Sequence, residues 1–232
     1  MLNSFYFDKK SSADFQAYIT DAGVYNSPGR KYDKVHVPGR NGDVIFEDND
    51  YDNMEHYYPA VIVNDFDKNF DALKAYLLST SGYARLKDTY HPDEYYMATF
   101  NRFEDIKVKN YDKAGTFKIV FDRKPQKYLV LGEKPKEFTT FPVSLKNPTQ
   151  FDAKPLIRLY GSGTLTINDV SLVLSTTAAY VDIDCELQEA LQAGENAHIT
   201  LSNGVFPKLS KGTNTITYTG SKAVITPRWY SI

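Results

Sequence analysis

The sequence predicts a mainly β protein: a β-rich N-terminal domain with one α-helix, then a C-terminal β-sandwich. Three observations carry this. Short runs rich in Tyr, Phe, Val, Ile and Thr recur along the 232 residues, each bounded by Asp, Asn, Gly or Pro. One stretch spaces its apolar residues as a helix does. The composition changes near Leu131: residues 1–131 hold 20 acidic and 18 basic side chains, against 9 and 9 afterwards, and 24 of the 33 aromatics. Domains are expected at 1–131 and 132–232, each long enough for its own core.

In the first domain the expected strands are Leu2–Phe7, Phe15–Thr20, Lys34–Val37, Val44–Phe46, His56–Val63, Tyr83–Lys87, Tyr95–Phe100 and Thr116–Asp122. The helix lies where Phe66, Phe70, Leu73 and Leu77 recur at spacings of four, three and four, which places them on one face. Asp65 or Asp67 is expected to cap its start, and Gly82 follows its end. Burying each of those side chains contributes roughly 1.5–3 kcal/mol, enough to dock the helix on a sheet. Between Val37 and Asp43 stand two turn signals, Pro38-Gly39 and Asn41-Gly42, with Arg40 between them. Proline presets φ and glycine supplies positive φ, so the run reads as a rigid corner that directs one arginine. That suits assembly better than turnover.

Gly132-Glu133-Lys134-Pro135-Lys136-Glu137 is charged and carries Gly and Pro, and reads as a linker or crossing loop. Beyond it, strands are expected at Pro155–Tyr160, Thr164–Ile167, Val170–Leu174, Tyr180–Asp184, His198–Leu201, Thr215–Thr219 and Ala223–Thr226, punctuated by Gly and Asn. Such short strands at regular intervals argue a sandwich of two sheets. Val181-Asp182-Ile183-Asp184-Cys185 alternates, so Cys185 faces the core and acts as a small hydrophobe. Glu186–Ala193 is compatible with a short helix or a further strand.

A net charge of −2 argues against nucleic-acid binding as the main task. With one cysteine, neither an intramolecular disulfide nor a thiolate zinc cluster can form. The start Met1-Leu2-Asn3-Ser4-Phe5 has no basic and apolar signal pattern, and no run approaches the ~20 apolar residues of a membrane span. Neither a secretory signal nor a membrane role is expected.

Catalytic patterns are weak. Asp48, Asp50 and Asp52 match the first positions of an EF-hand loop, but Asn53 stands where Gly is needed and Pro59 where a bidentate carboxylate is needed. A solvated loop between strands fits that stretch better. His36, His56, His91 and His198 lack ligand spacing, so no metal and no other cofactor is assigned. Gly161-Ser162-Gly163 reads as a turn, not a nucleophile elbow. Asp182 and Asp184 share one strand face, a spacing that is not diagnostic of a glycosidase. No catalytic residue is assigned, and the chain is not expected to be an enzyme. Tyr57-Tyr58, Tyr95-Tyr96 and Trp229-Tyr230 could each expose one ring to a sugar, which keeps a carbohydrate-binding module for cell-wall saccharides as the alternative.

Several segments together resemble the distal tail protein (Dit) family of long-tailed phages that infect Gram-positive hosts. They are Asn3-Ser4-Phe5-Tyr6-Phe7 with Ser11-Ser12-Ala13-Asp14-Phe15, Val37-Pro38-Gly39-Arg40-Asn41-Gly42, Asn69-Phe70-Asp71-Ala72-Leu73, Phe121 to Tyr128, Asn147-Pro148-Thr149 and Pro227-Arg228-Trp229-Tyr230. They occur in order along the whole chain. The resemblance implies an N-terminal domain that closes a six-subunit ring and a galectin-like C-terminal sandwich. It also implies a place at the phage tail tip, in the virion, after synthesis in the host cytoplasm. The expected partners are further copies of itself, the tail tube protein, the tape-measure protein, the tail-associated lysin or tail fibre hub protein, and receptor-binding proteins. DNA would pass the lumen without being held. Arg40 stands at the family's Val-Pro-Gly-Arg position, where the resemblance carries over only a structural role, and Pro38, Gly39, Arg40, Asn41 and Gly42 are the expected assembly residues. The galectin-like fold does not itself imply sugar binding.

Overall fold

The aromatic-rich runs of the first half pair into one antiparallel sheet. In the computed structural model its strands are β1 (Phe5–Phe7), β2 (Lys10–Ser11) and β3 (Ala17–Ile19), then, after a separate ribbon of β4 (Arg30–Val35) and β5 (Val44–Tyr51), β6 (Met54–Ile62), β7 (Ala84–Asp88), β8 (Glu94–Lys109) and β9 (Ala114–Leu129). The order across the sheet is β2-β1-β7-β8-β9-β6-β3. Residues 2–23, 26–109, 113–192 and 195–232 are described, with backbone alone for Asp48, Asn49 and Asn196. The chain forms two units, the first running to Lys127 and including Ile232, the second spanning Tyr128–Ser231.

The helix α1 (Phe66–Ser79) covers one face of the first sheet. Phe66, Leu73 and Leu77 are buried as the spacing predicts, and Phe70 packs between Phe66, Phe103 and Phe117 with ring centroids 4.7–5.2 Å apart. Beneath lie Tyr58, Ala60 and Ile62 of β6 with Phe117, Ile119 and Phe121 of β9. Asp65 stands at the N-cap, but its side chain makes no capping bond. Asn69 ties the entry down instead, its amide donating to the Asn64 carbonyl at 2.7 Å. The helix ends at Thr80 in extended backbone, before Gly82 is reached.

Two further differences have local causes. Phe15–Thr20 is not one strand: Ser12–Phe15 is a 3-10 turn that precedes β3. The Ser11 hydroxyl accepts from the Ala13 N–H while the Asp14 carboxylate accepts from the Ser11 N–H, a reciprocal cap that outweighs the extended preference of the aromatic residue. Strands β8 and β9 run far beyond their predicted lengths: charged residues interrupt the apolar alternation there, while ion pairs across the strands accompany the continued pairing. Arg102 reaches Glu55 at 2.6 Å across β9, and Lys118 meets Asp105 at 2.7 Å.

The second unit is a sandwich. One sheet runs β10 (Lys136–Phe138), β20 (Lys222–Thr226), β12 (Leu156–Tyr160), β15 (Val181–Asp184), β16 (Glu189–Gln192) and β17 (Glu195–Asn196). The other runs β11 (Val143–Asn147), β19 (Gly212–Tyr218), β13 (Gly163–Ile167), β14 (Val170–Leu174) and β18 (Ile199–Leu201). Ile157, Leu159, Ile183 and Ile225 of the first sheet meet Leu165, Ile167, Leu172 and Ile216 of the second in one core. Cys185 belongs to that core, and burial pushes its thiol up to about 12, where it is inert at neutral pH.

The segment 132–137, expected as a linker or crossing loop, completes a 3-10 turn (Val130–Glu133) and opens β10. The backbone packs too tightly there for a linker: a Cβ on Gly132 would lie 2.4 Å from the Trp229 nitrogen. Within 186–193 the described residues form β16, after a turn with Gln188 at φ +58°. Before a short last strand, β21 (Tyr230–Ser231), the Trp229 carbonyl accepts from the Leu129 N–H at 2.9 Å within the second unit.

Candidate assembly surface

Arg40 and its neighbours form the tip of the β4–β5 ribbon. The two strands pair through Tyr32 with Glu47, Asp33 with Phe46, Lys34 with Ile45 and Val35 with Val44. Neither joins the main sheet. Gly39 and Gly42 take φ of +82° and +79°, so both predicted turns form. The Arg40 N–H closes the first on the Val37 carbonyl at 3.2 Å, and His36 Nδ1 lies 3.3 Å from Asp43 Oδ1. Pro38, Gly39, Arg40, Asn41 and Gly42 are all exposed. Among the described residues the Arg40 guanidinium makes no hydrogen bond or ion pair.

The ribbon is longer than its two predicted strands. The acidic stretch expected as a loop continues β5 as far as Tyr51, because basic residues on β4 face it: Arg30 lies 3.6 Å from Glu47 and Lys31 4.0 Å from Asp52. Asp48, one of the three carboxylates weighed as calcium ligands, lies outside the described side chains. Among the described residues no group of three or more His, Cys, Asp or Glu is placed to hold a metal.

Apolar side chains lie on both faces of this ribbon. Tyr32 and Ile45 project to one side, Val35 and Phe46 to the other, and Tyr32, Ile45 and Phe46 are 45%, 53% and 59% exposed. Two strands with no sheet to join are marginal in water, and large apolar side chains exposed on both sides add to the cost. The sequence did hold this signal. Val44-Ile45-Phe46 is three consecutive apolar residues, so one must face each side, but such a run reads equally as a strand buried on both faces.

The other candidate groups are committed elsewhere. Asp182 and Asp184 do share an outer face, but Asp182 is held by Arg158 and Asp184 by Arg228, each through two oxygens at 2.6–2.8 Å. Of the three aromatic pairs, Tyr58, Tyr95 and Trp229 are buried and Tyr57, Tyr96 and Tyr230 are half-buried, so none presents an open ring. Tyr58 donates to the buried Asp88 at 2.8 Å; burial first, and that carboxylate second, push its hydroxyl well above the ordinary range. Ser162 lies in the turn between β12 and β13, where its hydroxyl donates to the Thr176 carbonyl.

The chain is thus a helix-backed β-sheet unit with a separate two-stranded ribbon, followed by a β-sandwich. No protein-family model and no curated protein sequence matches the chain. Solved structures do. The crystal structure of SPP1 Dit, described as a paradigm of the hub adsorption apparatus in phages infecting Gram-positive bacteria, superposes with a TM-score of 0.73 at 14% identity. That likeness covers 97% of this chain and 98% of that one. The phage P2 baseplate in its activated conformation with Ca matches at 0.52 and 10% identity, and the same baseplate with Sr at 0.52 and 9%, each over 97% of this chain and 98% of the other. The chain has the distal tail protein fold over essentially its whole length.

Proposed function

We propose that this chain is a structural protein of a phage tail tip, a hub whose six copies close a ring through the N-terminal unit and leave a channel for DNA. The ring would sit in the virion between the tail tube and the host-adsorption proteins, with tube, tape-measure, tail-associated lysin and receptor-binding proteins as neighbours, and the C-terminal unit would be its galectin-like sandwich. The observation that carries this reading is the β4–β5 ribbon, which has apolar residues on both faces and no sheet of its own unit to join. A neighbouring copy in a ring supplies the missing cover, and a head-to-tail contact that closes gives every copy the same one. The solved structures support the reading at the level of fold. A net charge of −2 suits a channel that lets phosphates pass without binding them.

The test is electron microscopy of the purified chain and of virions labelled against it, with mass from light scattering. Six-fold rings, single or paired back to back, are expected in one or both. A chain that is monomeric at every concentration and is also missing from the tail tip of labelled virions overturns the proposal.

A further inference from the structure

We propose that the outward face of the six-stranded sheet holds a site for one uncharged pyranose ring of a glycan. The inference rests on the second unit alone and does not depend on the hub reading. The strand register sets Glu137, Val224, Arg158 and Asp182 side by side in one row, with Leu156 and Tyr160 flanking Arg158 along β12. These six side chains line a cavity of about 270 Å³. Ligand pockets for drug-sized molecules start near ~300 Å³, so this one suits a single sugar ring.

The lining has two chemistries. Leu156 and Val224 are half-buried and apolar at positions where an outward sheet face ordinarily carries polar residues. They form a floor for the C–H face of a sugar ring. Above it, Arg158 Nε and Nη2 donate to Asp182 at 2.6 and 2.8 Å, the guanidinium lies 4.1 Å from the centroid of Tyr180, and Lys222 lies 4.3 Å over Tyr160 and 3.8 Å from Glu137. Stacking and the two-point fork fix Arg158 and Asp182 before any ligand arrives, which removes much of the ordering cost of binding.

Charge selects the class of ligand. The one cation that lines the cavity, Arg158, is already paired with Asp182, and Glu137 adds a second carboxylate, so the lining carries net negative charge and disfavours an anionic ligand. A hydroxyl both donates and accepts. It can donate to the lone pairs that the Asp182 carboxylate has left after its two bonds to Arg158, about half of the four it carries, without breaking the ion pair. Hydroxyls on one sugar edge meet Asp182, and the Tyr160 ring closes the side.

Saturation-transfer NMR on the full-length chain tests this, with the methyl pyranosides of glucose, galactose, rhamnose and N-acetylglucosamine at millimolar concentration and glycerol 1-phosphate as the anionic comparison. Transfer to at least one pyranoside and none to glycerol 1-phosphate is expected. Asp182→Asn should weaken that binding about tenfold or more. Thr226→Trp, which fills the cavity from its rim, should abolish it while leaving the ion pair in place, and so keeps the test valid if Asp182→Asn unfolds. No transfer to any of the four sugars, transfer that survives Thr226→Trp, or a preference for glycerol 1-phosphate overturns the proposal.

Discussion

Arg228 shows how much one residue of this chain is asked to do. It adopts φ +55°, a region that costs an ordinary side chain roughly 1–2 kcal/mol. Its N–H donates to the Gly132 carbonyl at 2.8 Å, and its guanidinium holds Asp184 through both oxygens. Burial alone would raise the Asp184 carboxyl, but the Arg228 fork and the backbone N–H groups of Leu187 and Glu186 outweigh it and hold the carboxyl below its ordinary value. A carboxylate whose folded value is depressed stabilises the fold above its unfolded pKa of roughly 4, and that stability is lost as pH falls through the folded value. The second unit should therefore lose about 1.5–3 kcal/mol on acidification below pH ~4. Asp184→Asn should be less stable at neutral pH and show a flatter acid limb, as thermal unfolding across pH would record. Other segments that carry the family resemblance also do local structural work. The Asn147 side chain accepts from the Thr149 N–H and hydroxyl and donates to the carbonyls of Phe151 and Leu209, locking a turn.

The ribbon and the helix mark the two extremes of what was legible at the level of elements. Helix α1 was readable because its four apolar positions repeat on one face and nothing else competes for them. The turns at Gly39 and Gly42 were readable because positive φ leaves few alternatives to glycine. The extent of the ribbon was not, since β5 is prolonged by charges paired across to β4, and the apolar pattern is blind to such pairs. Its exposure was hidden for a related reason: an apolar run says that side chains want cover, not which molecule covers them. The outward site on the sandwich was missed because Arg158, Tyr160, Tyr180 and Asp182 meet only through strand register. The ribbon makes a direct prediction. Phe46→Ser removes an apolar side chain that its own unit leaves 59% exposed, so thermal unfolding of the monomer should shift little while ring formation weakens. Arg40→Ala should behave alike, with loss of a charge-assisted contact worth about 1.5–3 kcal/mol at each junction. Sedimentation of both variants beside the parent chain reads the effect. Unfolding of either monomer would place the ribbon in an intramolecular role instead.

At the scale of the molecule, each unit has a hydrophobic core of its own, one built around Tyr58, Phe66, Phe117 and Phe121 and the other around Ile157, Leu165, Ile183 and Trp229. Two cores in one chain allow the labour to be divided. The proposed ring needs the ribbon, the sheet and the helix, all of which lie in the unit that ends at Lys127. The sandwich satisfies its own polar groups internally: buried Asn214 alone donates to the carbonyls of Leu145, Ser210 and Gly212 and accepts from the Ser210 N–H. A fragment that stops at Lys127 is therefore expected to fold cooperatively, since its core includes no residue of the sandwich. It should also form the same rings as the full chain, because the closing contacts repeat by symmetry within that unit. Circular dichroism melts read the folding, and class averages from negative-stain images read the symmetry. A fragment that folds but stays monomeric where the full chain makes rings would move the closing contact to the sandwich, and the β4–β5 ribbon would lose its place as the clasp.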